Sequence, residues 1–321
     1  MAIKWGVLGT ANIADWGVIP GMLLADNCEL YAIAGRRQEK VDKYVAKFGF
    51  EKGYVGYENL LDDPEVQAVY VPLPNDLHKE WVIKALKAKK NVLCEKPIAM
   101  NLSEAKEMYE VARESGVILM EAFAYLHSPY VKSLKEIVES GAIGDVQFIE
   151  TAFYTQGYEN DIRLNKENGG GMVYDLGCYC TSLILSLVNS EVNMVKAVAE
   201  MTDKGVDYST AAILRFDNGV RAAFNCGMTL MEGGRYDRLY VKGTKGTIVS
   251  PVEYNGCGNV CYDVTIDGVT KKVELDVPNN YKLEIENFGR AVAGEDTPYV
   301  TEAFTFKNAA LLDAILKEID Y

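Results

Sequence analysis

The sequence predicts an α/β protein, with an N-terminal doubly wound parallel sheet followed by a C-terminal α+β unit built on a mostly antiparallel, open sheet. Three observations carry this. Apolar runs alternate with helical patterns through the first part of the chain, and strand-like runs then follow one another with only turns between. The 321 residues also exceed what a single hydrophobic core usually serves. The expected domains are residues 1–121 and 122–321.

Ile3 to Leu8 is a short apolar run ending at Gly9, and Leu30 to Ala34 is another. A helical pattern from about Ile13 to Leu24 lies between them, completing one β-α-β unit. A helix near Glu39 to Phe48, a strand at Ala68 to Leu73 and a helix from His78 to Ala88 continue the alternation. A strand at Val92 to Glu95, a helix from Ser103 to Ser115 and a strand at Val117 to Glu121 complete it. Strands joined by helical crossovers lie parallel. After Glu121, strands are expected at Val146 to Tyr154, Val195 to Met201, Ala211 to Phe216 and Arg221 to Cys226, then at Leu239 to Lys242, Val260 to Ile266 and Val269 to Val277. Asp217-Asn218-Gly219 and Asp267-Gly268 are turn signals between them. Helices are expected near Tyr130 to Ser140, Gly171 to Val188, Lys282 to Ala293 and Ala303 to Ile319.

Composition narrows the partners. The 33 Lys plus Arg against 46 Asp plus Glu give a net charge of -13, which repels nucleic-acid backbones and anionic lipid headgroups. The longest nearly apolar stretch, around Leu183 to Val188, is far shorter than the ~20 residues a membrane helix needs. The opening MAIKWGVLGTANIAD reaches Asp15 too soon for a signal peptide, so a cytoplasmic location is expected. The 7 cysteines are odd in number and scattered, which makes reduced thiols the default. Cys178 and Cys180 lack the spacing of a zinc knuckle, and His78 and His127 are the only histidines, so no metal site is expected.

Gly9-Thr10-Ala11-Asn12-Ile13-Ala14 sits where the first strand turns into the first helix, the place where helix N-terminal amides can bind a pyrophosphate. The G-x-G-x-x-G/A spacing is kept, with alanine at the second and third small positions. The methyl group of Ala11 hinders the closest approach of the phosphates. At the tip of the second strand, where an acid selects NAD and an arginine accommodates the 2′-phosphate of NADP, the chain reads Ala34-Gly35-Arg36-Arg37. Glu29 begins that strand rather than ending it. Two arginines in an acidic chain favour NADP, with NAD the alternative; a solvated helix start is the plain reading.

Pro74, Asn75 and His78 follow one strand, and Glu95-Lys96-Pro97 follows the next; open α/β sheets bind ligands at such strand ends. The plain reading of Asn75 and His78 is helix capping and a satisfied polar side chain. For Lys96 it is an ion pair with Glu95, which the opposite facing of adjacent strand residues weakens. Further on, Gly169-Gly170-Gly171 precedes a helix on which Asp175 and Tyr179, four residues apart, share one face.

Taken in order, the segments KWGVLGTANIA, AIAGRR, PLPNDLH, CEKPIAM, EAFAY and NGGGMVYDLGCY resemble the oxidoreductase family named after glucose-fructose oxidoreductase and inositol 2-dehydrogenase. A tyrosine at Tyr179, where many members have histidine, is similar to the branch of dimeric dihydrodiol dehydrogenase and NADP-dependent D-xylose dehydrogenase. The resemblance implies an N-terminal Rossmann domain, a C-terminal domain whose open sheet often forms a dimer interface, and a substrate cleft between them. It implies Lys96 as the catalytic lysine, with Asp175 and Tyr179 contributed by the second domain. Pro74, Asn75, His78 and Glu95 become cofactor-side contacts, and Arg163, in Asp161-Ile162-Arg163-Leu164, a substrate contact. Relatives often hold the Lys96-Pro97 bond cis. One departure is Leu126-His127, where relatives commonly carry an arginine and a histidine one position later.

Hydride transfer at a secondary alcohol or carbonyl needs a group that exchanges the hydroxyl proton. A phenol is a poor base at neutral pH until a nearby ammonium lowers its pKa and polarises the substrate oxygen. These needs assign proton exchange to Tyr179, polarisation to Lys96 and substrate orientation to Asp175. The expected ligand is a polyol, aldose or diol, and the expected assembly a homodimer or dimer of dimers. Two alternatives stand: a cofactor-binding regulator without chemistry, and a lyase or glycosidase that uses NAD transiently.

Overall fold

The computed structural model describes residues 2–159 and 161–321, which group into two compact units. One comprises Met1–His127 with Pro278–Phe306, and the other Ser128–Val277 with Lys307–Tyr321.

The first unit begins with β1 (Ile3–Leu8), α1 (Ile19–Leu24), β2 (Cys28–Gly35) and α2 (Gln38–Phe48). It continues through β3 (Lys52–Val55), α3 (Tyr57–Leu61), β4 (Ala68–Val71) and α4 (Asn75–Lys87) to β5 (Asn91–Glu95), α5 (Leu102–Ser115) and β6 (Leu119–Ala122). All neighbouring strands are parallel, in the order β3-β2-β1-β4-β5-β6. Strands buried on both faces explain the continuous apolar runs: β4 is buried at every position and β1 at all but Lys4. The short pair β3 and α3 escaped sequence reading, because Lys52-Gly-Tyr-Val offers four residues with alternating half-exposure and no apolar run.

The second unit contains α6 (Pro129–Glu139), β7 (Val146–Gln156), α7 (Cys178–Leu187), β8 (Val192–Met201), β9 (Asp207–Phe216) and β10 (Arg221–Leu230). These are followed by β11 (Arg235–Gly243), β12 (Gly246–Ser250), β13 (Gly258–Ile266) and β14 (Val269–Val277). The sheet order is β14-β13-β12-β11-β7-β10-β9-β8, antiparallel except where β10 lies parallel to β7. Asp267 (φ 50) and Gly268 (φ 79) close the β13–β14 hairpin with both turn residues left-handed, the geometry that Asp-Gly favours. β12 was not anticipated.

Two helices follow: α8 (Asn280–Val292) and α9 (Glu302–Glu318). α8 comes after the second sheet in sequence yet belongs to the first unit, which a single division after residue 121 does not foresee. Its face fits α1 closely: a Cβ added to Gly21 would stand 2.4 Å from Tyr281 Cβ.

Candidate active site

The carboxyl ends of the first sheet gather the expected cofactor residues. β1 passes to β2 on one side and has β4 on the other, so the sheet changes winding direction between β1 and β4, where such sheets bind ligands. Gly9 leaves β1 with φ 129, a conformation that side chains rarely adopt, and its N–H donates to Ala34 O at 2.9 Å. A Cβ on Gly9 would meet Leu73 at 3.2 Å, which ties this turn to the loop after β4. Thr10, Ala11 and Ile13 are half-exposed and Asn12 is exposed. The helix that follows is not regular: Ala14–Val18 forms a π turn before α1 begins. Such insertions occur frequently at functional sites and have no apolar-period signature. Asp15 in that turn is paired with Lys47 at 2.7 Å, which offsets a negative charge beside a phosphate cradle.

Arg36 and Arg37 are exposed at the end of β2, and neither is in an ion pair with a carboxylate among the described residues. Glu29 pairs in register with Lys4 at the opposite end of the strand. A glycine turn with free helical amides and two guanidiniums, and no acid at the strand tip, fits a dinucleotide carrying a 2′-phosphate.

Pro74 precedes α4 and Asn75 opens it. His78 is 0% exposed, with Nδ1 2.9 Å from Pro97 O and Nε2 2.8 Å from Leu73 O. Its ring is therefore occupied inside the protein, joining the loops after β4 and β5. Burial pushes its pKa below the ordinary histidine value. Glu95 accepts the Tyr70 hydroxyl at 2.5 Å on one oxygen and the Lys96 N–H at 3.2 Å on the other. The Lys96–Pro97 bond is cis. Immediately after it, Ile98 N–H donates to Glu121 Oε1 at 3.0 Å, and Thr305 Oγ1 donates to Glu121 Oε2 at 2.8 Å. Burial pushes the Glu121 carboxyl up to about 7. Glu121 lay within the EAFAY segment without a role assigned. Glu284 of α8 is fully buried, with neither carboxylate oxygen hydrogen-bonded among the described residues, and burial and then Glu95 raise its pKa. No sequence signal marks it. Leu126 is buried, and His127 packs its ring 5.1 Å from Tyr299, so this departure is absorbed within the first unit.

In the second unit the glycine run serves close approach. Gly171 has φ 97, and a Cβ there would stand 2.1 Å from Asp207 Oδ1; a Cβ on Gly170 would stand 2.5 Å from Arg163 O. Asp207 fixes the helix start by accepting Val173 N–H at 2.8 Å. The first turn, Val173–Gly177, is again π, with α7 following. From Val173 to Cys180 only Asp175 and Tyr179 are half-exposed, so they share the open face as their spacing predicts. Arg163 Nε donates to Asp175 Oδ2 at 2.6 Å and Nη1 to Asp161 Oδ1 at 3.0 Å, while its guanidinium lies 4.7 Å from the Tyr158 ring centre. The Asp175 carboxylate, the largest influence, raises the Arg163 pKa despite burial. The Tyr179 ring is held by Phe153 and Tyr254, with ring centres 5.5 and 5.2 Å away. Arg235, paired with Asp237 at 2.6 Å, lies over the Phe153 ring.

The class that these features define is a dinucleotide-binding α/β protein carrying a second, open-sheet domain. The model described as "Oxidoreductase family, NAD-binding Rossmann fold" matches residues 3–123, and the "GFO/IDH/MocA C-terminal domain" matches residues 131–249. The chain belongs to the GFO/IDH/MocA family of NAD(P)-dependent oxidoreductases. It is 31% identical to "D-xylose 1-dehydrogenase (NADP(+)) 2" of Haloferax volcanii, covering 99% of this chain and 98% of that protein. It is 34% identical to trans-1,2-dihydrobenzene-1,2-diol dehydrogenase of Xenopus tropicalis over 78% of this chain and 76% of the relative. Among solved structures, a 3-ketoreductase from Actinomadura kijaniata in complex with NADP and TDP-benzene superimposes with a TM-score of 0.93 at 28% identity, covering 99% of this chain and 98% of that one. No helix of the described residues is long and apolar enough to cross a membrane.

Proposed function

We propose that this protein is an NADP-preferring dehydrogenase or reductase acting on a secondary alcohol or carbonyl of an aldose, polyol or diol. The observation that carries the reading is Lys96, standing after β5 on the same sheet edge as the glycine turn, with both neighbouring peptide groups fixed. Nicotinamide, when bound, supplies the hydride acceptor or donor. Tyr179 exchanges the hydroxyl proton, and the Lys96 ammonium polarises the same oxygen. Arg163 holds Asp175 so that its remaining lone pairs can accept from substrate hydroxyls. Pro74, Asn75 and Glu95 line the cofactor side. The relatives that act on D-xylose and on a cyclic diol, and the NADP in the related reductase, support this substrate class and cofactor.

The test is to titrate NADPH by fluorescence and then follow its formation from NADP⁺ across a panel of aldoses and diols. Turnover supports the reading. Tight NADPH binding without turnover or product points to a regulator instead, and product without net change in NADPH to transient oxidation. Cofactor choice is tested at the β2 tip. A protein with Arg36→Ala and Arg37→Ala is expected to bind NADPH about 10- to 100-fold more weakly, the loss of a single charge-assisted bond to the 2′-phosphate at roughly 1.5–3 kcal/mol, while NADH affinity holds. Equal losses for both cofactors would move the 2′-phosphate away from these arginines. A homodimer or dimer of dimers is supported by Val198 and Ile213, exposed by 72% and 55% on one face of the second sheet. Sedimentation equilibrium giving a monomer would reject it.

A further inference from the structure

The loop that carries Lys96 is gripped by two buried ionisable side chains whose position neither hydride transfer nor cofactor binding explains. The peptide group joining Pro97 to Ile98 is engaged at both polar ends, its carbonyl 2.9 Å from His78 Nδ1 and its N–H donating to Glu121 Oε1 at 3.0 Å. Both grips are anchored from behind. His78 Nε2 lies 2.8 Å from Leu73 O, and Glu121 Oε2 accepts the Thr305 hydroxyl at 2.8 Å. A glutamine at residue 121 could accept the Ile98 N–H and meet Thr305 equally well without the cost of a buried charge. What glutamate adds is that charge, which Glu95 opposes and the positive charge of Lys96 favours.

We propose that Glu121 is a positioning residue for Lys96: its carboxylate clamps the Pro97–Ile98 peptide against His78 and attracts the ammonium, setting both where that cation stands and how firmly it keeps its proton. This deepens the reading above, since it rests on Lys96 as the catalytic cation. The ionisable groups facing Glu121 are Glu95, Lys96 and Cys94 from β5 and its loop and Tyr109 from α5, with the Thr305 hydroxyl from α9 and His78 across the peptide. Burial pushes Glu121 up to about 7, so the clamp changes charge near neutrality. Above that pH both oxygens accept. Below it one oxygen must donate, the Thr305 hydroxyl turns round, and the negative charge that acts on Lys96 from Glu121 is lost. Burial lowers the His78 pKa, and the Pro97 and Leu73 carbonyls that face its two ring nitrogens work against that shift.

The test reads the lysine directly. Trinitrobenzenesulfonate labelling of Lys96 against pH, quantified by peptide mass spectrometry on the full chain with NADP⁺ present, reports the fraction of neutral amine without needing a substrate. Glu121→Gln is expected to speed labelling at about pH 8 by roughly three- to tenfold, since one pKa unit is tenfold in neutral amine. Thr305→Val keeps the carboxylate but removes a bond that holds its pKa down, so it should speed labelling near neutrality and leave alkaline labelling unchanged. If Glu121→Gln does not fold, this second variant decides. Labelling within twofold of the unsubstituted protein in every folded variant would overturn the proposal. Turnover of Lys96→Ala separates the two ideas: an active Lys96→Ala protein removes the catalytic reading whatever the labelling shows, and altered labelling keeps the clamp.

Discussion

Lys96→Ala is expected to lower kcat by roughly 10²- to 10³-fold, equivalent to about 2.7–4 kcal/mol of transition-state stabilisation, while NADPH affinity changes little. The size is that of removing one charged group aimed at a developing oxyanion. Pro97 is buried, the Lys96 N–H is tied to Glu95 and the Ile98 N–H to Glu121, so the backbone from which this side chain projects is held in place. Single-turnover measurements on the substrate found in the panel, with NADPH fluorescence in parallel, separate chemistry from binding. A mutant with full kcat would remove Lys96 from the reaction, and equal losses in kcat and NADPH affinity would make it a cofactor contact instead.

Tyr179→Phe should cost about 10²- to 10⁴-fold in kcat, the usual contribution of a positioned proton donor or acceptor. The substitution suits the test because ring packing against Phe153 and Tyr254 survives loss of the hydroxyl. An unchanged melting temperature is therefore expected beside the lost turnover. Retained activity would shift proton exchange to another group, and a large drop in melting temperature would make the hydroxyl structural.

Much of this was legible in the chain because the first sheet is buried on both faces. Its strands read as continuous apolar runs, and chemistry collects where they end, so Gly9, Arg36, Pro74 and Lys96 stand out by position alone. Asp175 and Tyr179 were legible for a different reason: they stand four apart on a helix that follows a glycine run, in a motif that resembles the family's. Less visible were features set by long-range contact. The π turns at Ala14–Val18 and Val173–Gly177 add a residue to a turn without changing the apolar pattern. His78 reads as a cofactor contact from its motif, yet its ring is spent between two loop carbonyls that no local spacing brings together. Glu121 and Glu284 look like ordinary acids until burial is known, and Arg163 meets Asp175 only because a glycine run lets two backbones approach.

The return of α8 to the first unit governs the order in which the chain can mature on the ribosome. Trp5, in β1, packs its ring at a tilt against Phe288, ring centres 5.1 Å apart, and Gly21 is shaped to receive Tyr281. A nascent N-terminal segment therefore waits, with an apolar flank uncovered, until nearly the whole polypeptide has emerged. Gene fragments ending near His127 would inherit that uncovered flank permanently. Shuffling this nucleotide module into a chimera thus demands that its late-synthesised helix travel with it.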